Sequence, residues 1–431
     1  MEVSHRAHSC AAASRKYLMW SIIQDLWDPR TNPSGYLSLG VAENTLMHDS
    51  IIRHVQENFA ITSRSLTYGD GTTGSQRLKQ AMAKFITSQF KSRTRVEMSH
   101  ITITNGCSAS IEHLAWALSN PGEGILLGRP YFRGFLSSMT LRTGVKVVPV
   151  SFGETDPFVS EAVNCYEIAL LSSRDAGVRI SAIMLCNPHN PTGRCYSRDL
   201  LLKLMRLCEK YQIHLISDEL YALSVWENSF DTTPAPNPFE SCLSLETRDI
   251  INPSRLHIIW GMSKDFSANG LRIGAIISQS NSTLHQALVP VALFSSSSSA
   301  ADHITANILE DDLWLEDYVQ ENSRLLSQHY TFVVNWARSN GIEYYAGANA
   351  AFFIILNLGK VFQARHTEMT ALDAERTINT LLLKEKVFLV AGEDFGSEKP
   401  GWFRITFSYP KDWITEGLHR ILNVIQTRDP I

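Results

Sequence analysis

The sequence predicts an α/β protein, with a large unit built on a mostly parallel sheet covered by helices and a small α+β unit beside it. Three observations predict it. Short β-like runs alternate with helical patterns through the middle of the chain, the pattern of strands joined by helical crossovers. From about residue 300 onward long helical patterns dominate, with only two strand-like runs among them. The length, 431 residues, exceeds what one domain of about 150 residues would use.

Taken in order, residues 101–104 read as a strand and 108–118 as a helix with apolar residues on one side. An Asn-Pro-Gly turn (120–122) leads to a strand at 124–127. Residues 180–186 form the next strand, stopped by the proline-rich turn 187–193. Ser197 is placed as the N-cap of a helix carrying Leu200, Leu201, Leu204, Leu207 and Cys208 on one face. Residues 213–217 form a strand that stops at Asp218, and 256–260 and 272–277 form two more around a polar loop. The stretch 226–254 holds four prolines and several Ser and Thr, and reads as a surface excursion. The serine run 295–299 reads as a helix N-terminus, and 351–356 and 401–407 are strand-like. No internal repeat of fixed period is present.

Composition narrows the class. Hydrophobic residues make up 44% and charged residues 19%, which excludes disorder, collagen-like structure and coiled coil for the bulk of the chain. The net charge of −4 offers no basic field for nucleic acid. The seven cysteines (10, 107, 165, 186, 195, 208, 242) are scattered without a C-x-x-C pair, so a reduced cytoplasmic set is expected rather than a disulfide framework or a metal site. No apolar run reaches the length of a membrane span, and the first twenty residues lack a secretory core.

Four segments carry chemistry. Lys264 lies in a short loop between two apolar strands, with Arg272 eight residues on. A desolvated lysine near other cations is a nucleophile that forms Schiff bases with carbonyl cofactors, whereas a lysine in a surface turn does nothing of the kind. Asp218, in Ser-Asp-Glu-Leu-Tyr221, ends a very apolar strand, where ligands of open α/β sheets collect; it could equally cap a helix. A carboxylate there keeps a pyridinium nitrogen protonated. Asn190 sits in the turn Asn-Pro-His-Asn-Pro, and the small-residue turn Asn105-Gly-Cys-Ser-Ala runs into a helix whose N-terminus suits an anion. Each turn alone also reads as a plain turn.

Together these residues resemble the fold-type I pyridoxal 5′-phosphate (PLP) enzymes of the class I/II aminotransferase family. Within it the chain is most similar to 1-aminocyclopropane-1-carboxylate (ACC) synthase and its fungal ACC-synthase-like relatives. The likeness spans about residues 40–420, anchored by Leu39-Gly-Val-Ala-Glu43-Asn44, Asn-Pro-His-Asn190-Pro, Ser-Asp218-Glu-Leu-Tyr221, Ser263-Lys264 with Arg272, and Pro-Gly-Trp-Phe-Arg404. It implies Lys264 as the Schiff-base lysine and proton carrier, Asp218 as partner of the pyridine nitrogen, and Asn190 and Tyr221 as partners of the cofactor phenolate. Cys107, Ser108 and Ala109, with Ser263 and Arg272, are implied as the phosphate cradle, and Phe132 as the ring stacked on the cofactor. Arg404 is implied as the binder of the substrate α-carboxylate. The family's shared active sites imply a homodimer in which Tyr68 reaches a neighbour's phosphate.

Three departures accompany the match. Gly261 stands where the family has a serine three residues before the lysine. Thr72 stands where ACC synthase has a tyrosine, which argues against ACC formation. The phosphate turn reads Asn-Gly-Cys-Ser-Ala instead of the commoner Gly-Ala-Thr-Gly. Glu43 keeps the acid that ACC-synthase-like sequences carry near the substrate side chain. The expected activity is therefore PLP-dependent C–S bond cleavage of a sulfur-bearing α-amino acid, in fungal secondary metabolism. An aminotransferase, or an ACC-synthase-type elimination, is the alternative. The expected division is a large PLP-binding domain at 50–300 and a small domain formed by 1–49, with an N-terminal arm, and 301–431.

Overall fold

The computed structural model describes residues 3–14 and 18–427. In chain order its strands are β1 (Leu37–Ser38), β2 (Ile101–Asn105), β3 (Gly124–Gly128), β4 (Lys146–Val150), β5 (Ile180–Cys186), β6 (His214–Asp218), β7 (Leu256–Gly261), β8 (Ile273–Ile277), β9 (Phe353–Asn357), β10 (Val387–Phe388), β11 (Val390–Ala391) and β12 (Trp402–Thr406). Seven of them make one sheet in the order β2-β8-β7-β6-β5-β3-β4. Every pair is parallel except those of β8, which runs antiparallel to both β2 and β7. Strands β5, β7 and β8 are buried along their whole length, which is why they read as near-continuous apolar runs.

The register of this sheet builds the site. Cys186 pairs with Asp218 and Asp218 with Ile259, so β5, β6 and β7 end side by side. The turns that follow them therefore open on one rim. Because β8 is reversed, its first residue meets the last residue of β2, Ile273 against Asn105. Arg272 thus arrives beside the turn into the helix Cys107–Leu118, although Arg272 and Cys107 are 165 positions apart in sequence.

A second layer is smaller. Antiparallel β11-β12-β9 carries Arg404 in its middle strand, paired to Ile355 and Val390. Parallel β1-β10 lies alongside, and residues 39–45 are laced onto this layer by Leu39 N–H to Phe388 O (3.0 Å), Thr406 N–H to Leu39 O (2.8 Å) and Thr45 N–H to Ser408 O (2.9 Å). The helix Asp312–Ser339, about 42 Å long, joins the two layers. Its Tyr318 stacks on Phe266 under the large sheet and its Tyr330 packs on Trp226.

Most expected elements form within one or two residues of their expected ends. Ser197 caps the helix Arg198–Tyr211 by accepting from the Leu200 amide, and Ser298 caps Ser299–Glu310. Arg272 lies outside its strand, in left-handed conformation (φ 55°). The stretch 226–254 differs more. It has no strand and no α-helix, yet Trp226, Cys242, Leu243, Leu245 and Ile251 are buried. Asp231 accepts from the hydroxyls of Tyr330 (3.0 Å) and Tyr344 (2.8 Å). The prolines mark irregular backbone, but apolar anchors and one buried carboxylate hold that backbone inside the molecule.

Candidate active site

Four segments converge at the rim where β5, β6 and β7 end. Lys264 sits in the short helix Met262–Asp265, directly after β7, and its amine donates to the Ala42 carbonyl. Burial lowers its pKa to about 8; the Glu43 charge opposes the shift, and the Arg404 charge assists it. The lysine is thus a good proton acceptor near neutral pH. Asp218, at the end of β6, is pushed up to about 7 by burial, against the Leu220 amide (3.3 Å) and the Lys264 charge. Tyr221 follows it and is buried between Phe352 and Phe353. Asn190, in the turn after β5, donates from Nδ2 to the Tyr221 hydroxyl (3.4 Å) and accepts at Oδ1 from Arg404 (2.8 Å).

Arg404 is 3% exposed. Besides Asn190, its guanidinium donates to the Gly40 carbonyl and lies 4.8 Å and 5.0 Å from the ring centres of Phe353 and Phe395. Among the described residues no carboxylate pairs with it, its Nε has no hydrogen-bond partner, and burial lowers its pKa to about 10. A buried charge without a counter-charge is costly. The rim therefore holds two such charges of opposite sign: Asp218 lacks a cation bonded to it, and Arg404 lacks an anion.

The anion-cradle residues meet as the strand register requires. Gly106 takes φ 79°, and a Cβ there would lie 2.2 Å from Arg272 Nη2, so the guanidinium is pressed against the helix entrance. Arg272 is fixed by donating to the Asn269 carbonyl (2.9 Å). Ser263 and Cys107 are buried, the Cys107 thiol within reach of the Arg272 charge, while Ser108 is exposed in the first helical turn. The amide of Ala109 is already used, donating to Gly106 O (3.0 Å). Gly261 has a steric reason: a Cβ there would stand 2.5 Å from Ile273 O and 2.8 Å from Cys107 Sγ. The backbone of β8 and the Cys107 thiol together leave no room there for a serine side chain.

Glu43 accepts from Asn269 Nδ2 (3.3 Å), and its charge acts on Lys264 and Tyr409. Phe132 packs edge-on against Phe135 and is 38% exposed. Tyr68 is 98% exposed in a loop beside a groove lined by residues 62–77 and 293–303, away from the chain's own rim. Sequence reasoning missed Asp265, buried next to Lys264. Its carboxylate accepts from Trp260 Nε1 (2.9 Å) and Ser224 Oγ (2.8 Å), tying the lysine's turn to the loop after Tyr221. It also missed Phe353 and Phe395 around Arg404, which are unremarkable apolar positions in the sequence.

The family model "Aminotransferase class I and II" matches residues 34–421. The chain is 32% identical to the probable aminotransferase sirI of Leptosphaeria maculans, over 93% of this chain and 94% of that one. It is 30% identical to the ACC synthase-like protein 1 of Mus musculus, over 94% of this chain and 79% of the relative. In structure it is similar to aspartate aminotransferase from Thermus thermophilus with maleate, with TM-score 0.73, 18% identity, and coverage of 98% and 99%. This is the fold-type I architecture, and family and fold are those of PLP-dependent enzymes. A seven-stranded sheet whose strand ends gather a lysine and an aspartate, faced by a buried arginine of the smaller layer, is what such a chain would build, and the sequence match across nearly its whole length settles the kinship: the chain belongs to the class I and II aminotransferase family.

Proposed function

We propose that this PLP-dependent enzyme is a carbon–sulfur lyase acting on a cysteine-type conjugate. Bound PLP supplies an electron sink for charge developing at the substrate Cα. The uncompensated charges support its fit to this rim, since a protonated ring nitrogen answers Asp218 and a substrate α-carboxylate answers Arg404. Lys264, near neutral at about 8, is assigned the amine that holds the cofactor's aldehyde carbon and then takes the Cα proton. Asn190 and Tyr221 are assigned the phenolate oxygen. Cys107, Ser108, Ala109, Ser263 and Arg272 are assigned the phosphate, and Phe132 the open face of the ring. Arg404, held flat by two rings, is assigned the α-carboxylate.

The observation that carries the lyase reading is Glu43, held by Asn269 with its charge on Lys264. Transamination shuttles one proton between the substrate and the cofactor. Elimination breaks the Cα–H and Cβ–S bonds, and the departing thiolate needs a proton of its own. The proton that Lys264 takes from Cα balances that need, and Glu43, beside Lys264, is assigned its relay to the sulfur. The products are a thiol and an unsaturated amino acid, which water converts to a 2-oxo acid and ammonia. The holoenzyme given S-ethyl-L-cysteine without an amino acceptor should release ethanethiol, ammonia and pyruvate. Turnover that begins only after a 2-oxo acid is added would establish the aminotransferase reading, which the relative named a probable aminotransferase favours.

Three further assignments belong to this reading. The seam follows the two sheet layers, with residues 50–300 as the cofactor unit and 1–49 with 301–431 as the small unit; the lacing of residues 39–45 onto β10 and β12 supports it. A second copy covers the groove beside Tyr68 and takes that tyrosine to its own phosphate site, as the exposure of Leu66, Tyr68, Leu293 and Phe294 supports. The setting is fungal secondary metabolism in the cytoplasm. The seven free cysteines are consistent with a reducing compartment, and among the described residues no helix is long and apolar enough to cross a membrane.

A further inference from the structure

Beside Arg404 a cavity of about 430 Å³ lies between the two layers. Its walls come from the turns after β3 and β4, from residues 191–194, and from 343–346 and 392–404 of the small layer. None of Lys264, Asp218, Tyr221 or Glu43 lines it; Arg404 and the Phe395 ring beside it are shared with the candidate active site. Much of the lining is aromatic or proline, including Phe152, Pro157, Pro191, Tyr345, Phe395 and Trp402.

The charges on this wall are unevenly matched. Asp156 is taken by two 3.0 Å bonds from Arg194, Glu154 by Lys399 (3.1 Å) and Glu343 by Lys360 (3.2 Å). Glu398 accepts from the Ser151 hydroxyl and from the amides of Phe152 (3.0 Å) and Gly153 (3.3 Å). Arg129 acts on Glu398 only through its charge. Arg129 and Arg404 are left without an ion-pair partner among the described residues, and the Nε of each is buried with no hydrogen-bond acceptor. A guanidinium has five N–H donors. Arg404 spends one on Asn190 and one on Gly40. An α-carboxylate gripped end-on takes two more, and with Nε buried Arg404 acts on the cavity it lines through its charge.

We infer that this cavity is a second binding site, taking a carboxylate borne on a flat apolar body, an aryl carboxylate in class. The anion meets Arg129 from the large layer and Arg404 from the small one, and the ring fills the aromatic and proline wall. Because the ligand spans both layers and touches the strand that carries Arg404, its binding holds the two layers together. The site does not depend on which reaction the enzyme performs.

Calorimetric titration of the holoenzyme with benzoate tests it, with benzamide as the uncharged isostere and L-alanine as a competitor for the α-carboxylate position. Saturable benzoate binding is expected, about tenfold weaker for benzamide and about tenfold weaker for Arg129→Gln, with Arg129→Lys recovering part of the loss. Saturating L-alanine should leave the benzoate Kd within about twofold. Absence of saturable binding, an unchanged Kd in a folded Arg129→Gln protein, or simple competition with L-alanine would each overturn the site.

Discussion

Arg404 and Asp218 set the energetics of the rim, because each is a buried ionisable group whose counter-charge has to come from outside the chain. A carboxylate partner gives Arg404 a charge-assisted, bidentate bond inside a low-dielectric site, where such bonds are strong. Arg404→Leu is therefore expected to lower kcat/KM for α-amino acids about a hundredfold or more. The corresponding decarboxylated amines should lose little, and equal losses for both classes would count against the assignment. Asp218 makes a prediction in pH. Its folded pKa, about 7, lies above the ordinary 3.8, so the folded protein holds this proton more tightly than the unfolded one. Stability is thus unaffected by this group below about pH 4 and falls as pH rises from there to about 7. In the cofactor-free protein, Asp218→Asn removes the burden. The melting temperature of the variant relative to the wild type should be higher at pH 8 than at pH 5, by roughly 2 °C or more. A difference independent of pH would mean that Asp218 is not held out of its charged form.

At the scale of elements, the site is a consequence of strand ends in register, fastened by buried side chains that do no chemistry. Asp265 is the principal fastener, since Trp260 and Ser224 both donate to it and Ser224 in turn bonds back to Tyr221 O (3.0 Å). Asp265→Ala leaves two donors unpaired and is expected to cost about 2–4 kcal/mol in chemical denaturation, with a smaller loss for Asp265→Asn. A loss below about 1 kcal/mol for the alanine variant would contradict the role. Much of this level was legible in the sequence. The strands before Asn187 and Met262 are fully buried, largely apolar runs ended by polar turns, β6 before Asp218 is nearly so, and that pattern is local. What was not legible is what tertiary pairing decides. The reversal of β8 brings Arg272 to Gly106, and Gly40 O meets Arg404 across 364 residues of sequence. The edge strand β4, Lys146-Val-Val-Pro-Val, is partly exposed and lacks a run of buried residues. The burial of 226–254 rests on anchors scattered among prolines, and neither composition nor periodicity marks them.

For the whole molecule, the small layer supplies one half of the site, Glu43 and Arg404, and the large sheet the other, Asp218 and Lys264. The surface near Tyr68 carries the remaining proposal. Leu293 is 64% exposed and Phe294 79%, beside a groove of about 790 Å³. Sedimentation should give a dimer for the wild type and a monomer with little activity for Leu293→Asp; a dimer in both would place the interface elsewhere. The central claim is that Lys264, on the rim shared by both layers, moves the substrate's Cα proton, and it holds whichever product follows. Proton NMR of the holoenzyme with an α-amino acid in D₂O measures that step directly. The wild type should replace the Cα hydrogen with deuterium and Lys264→Ala should not, whereas exchange at the wild-type rate in Lys264→Ala would contradict the account.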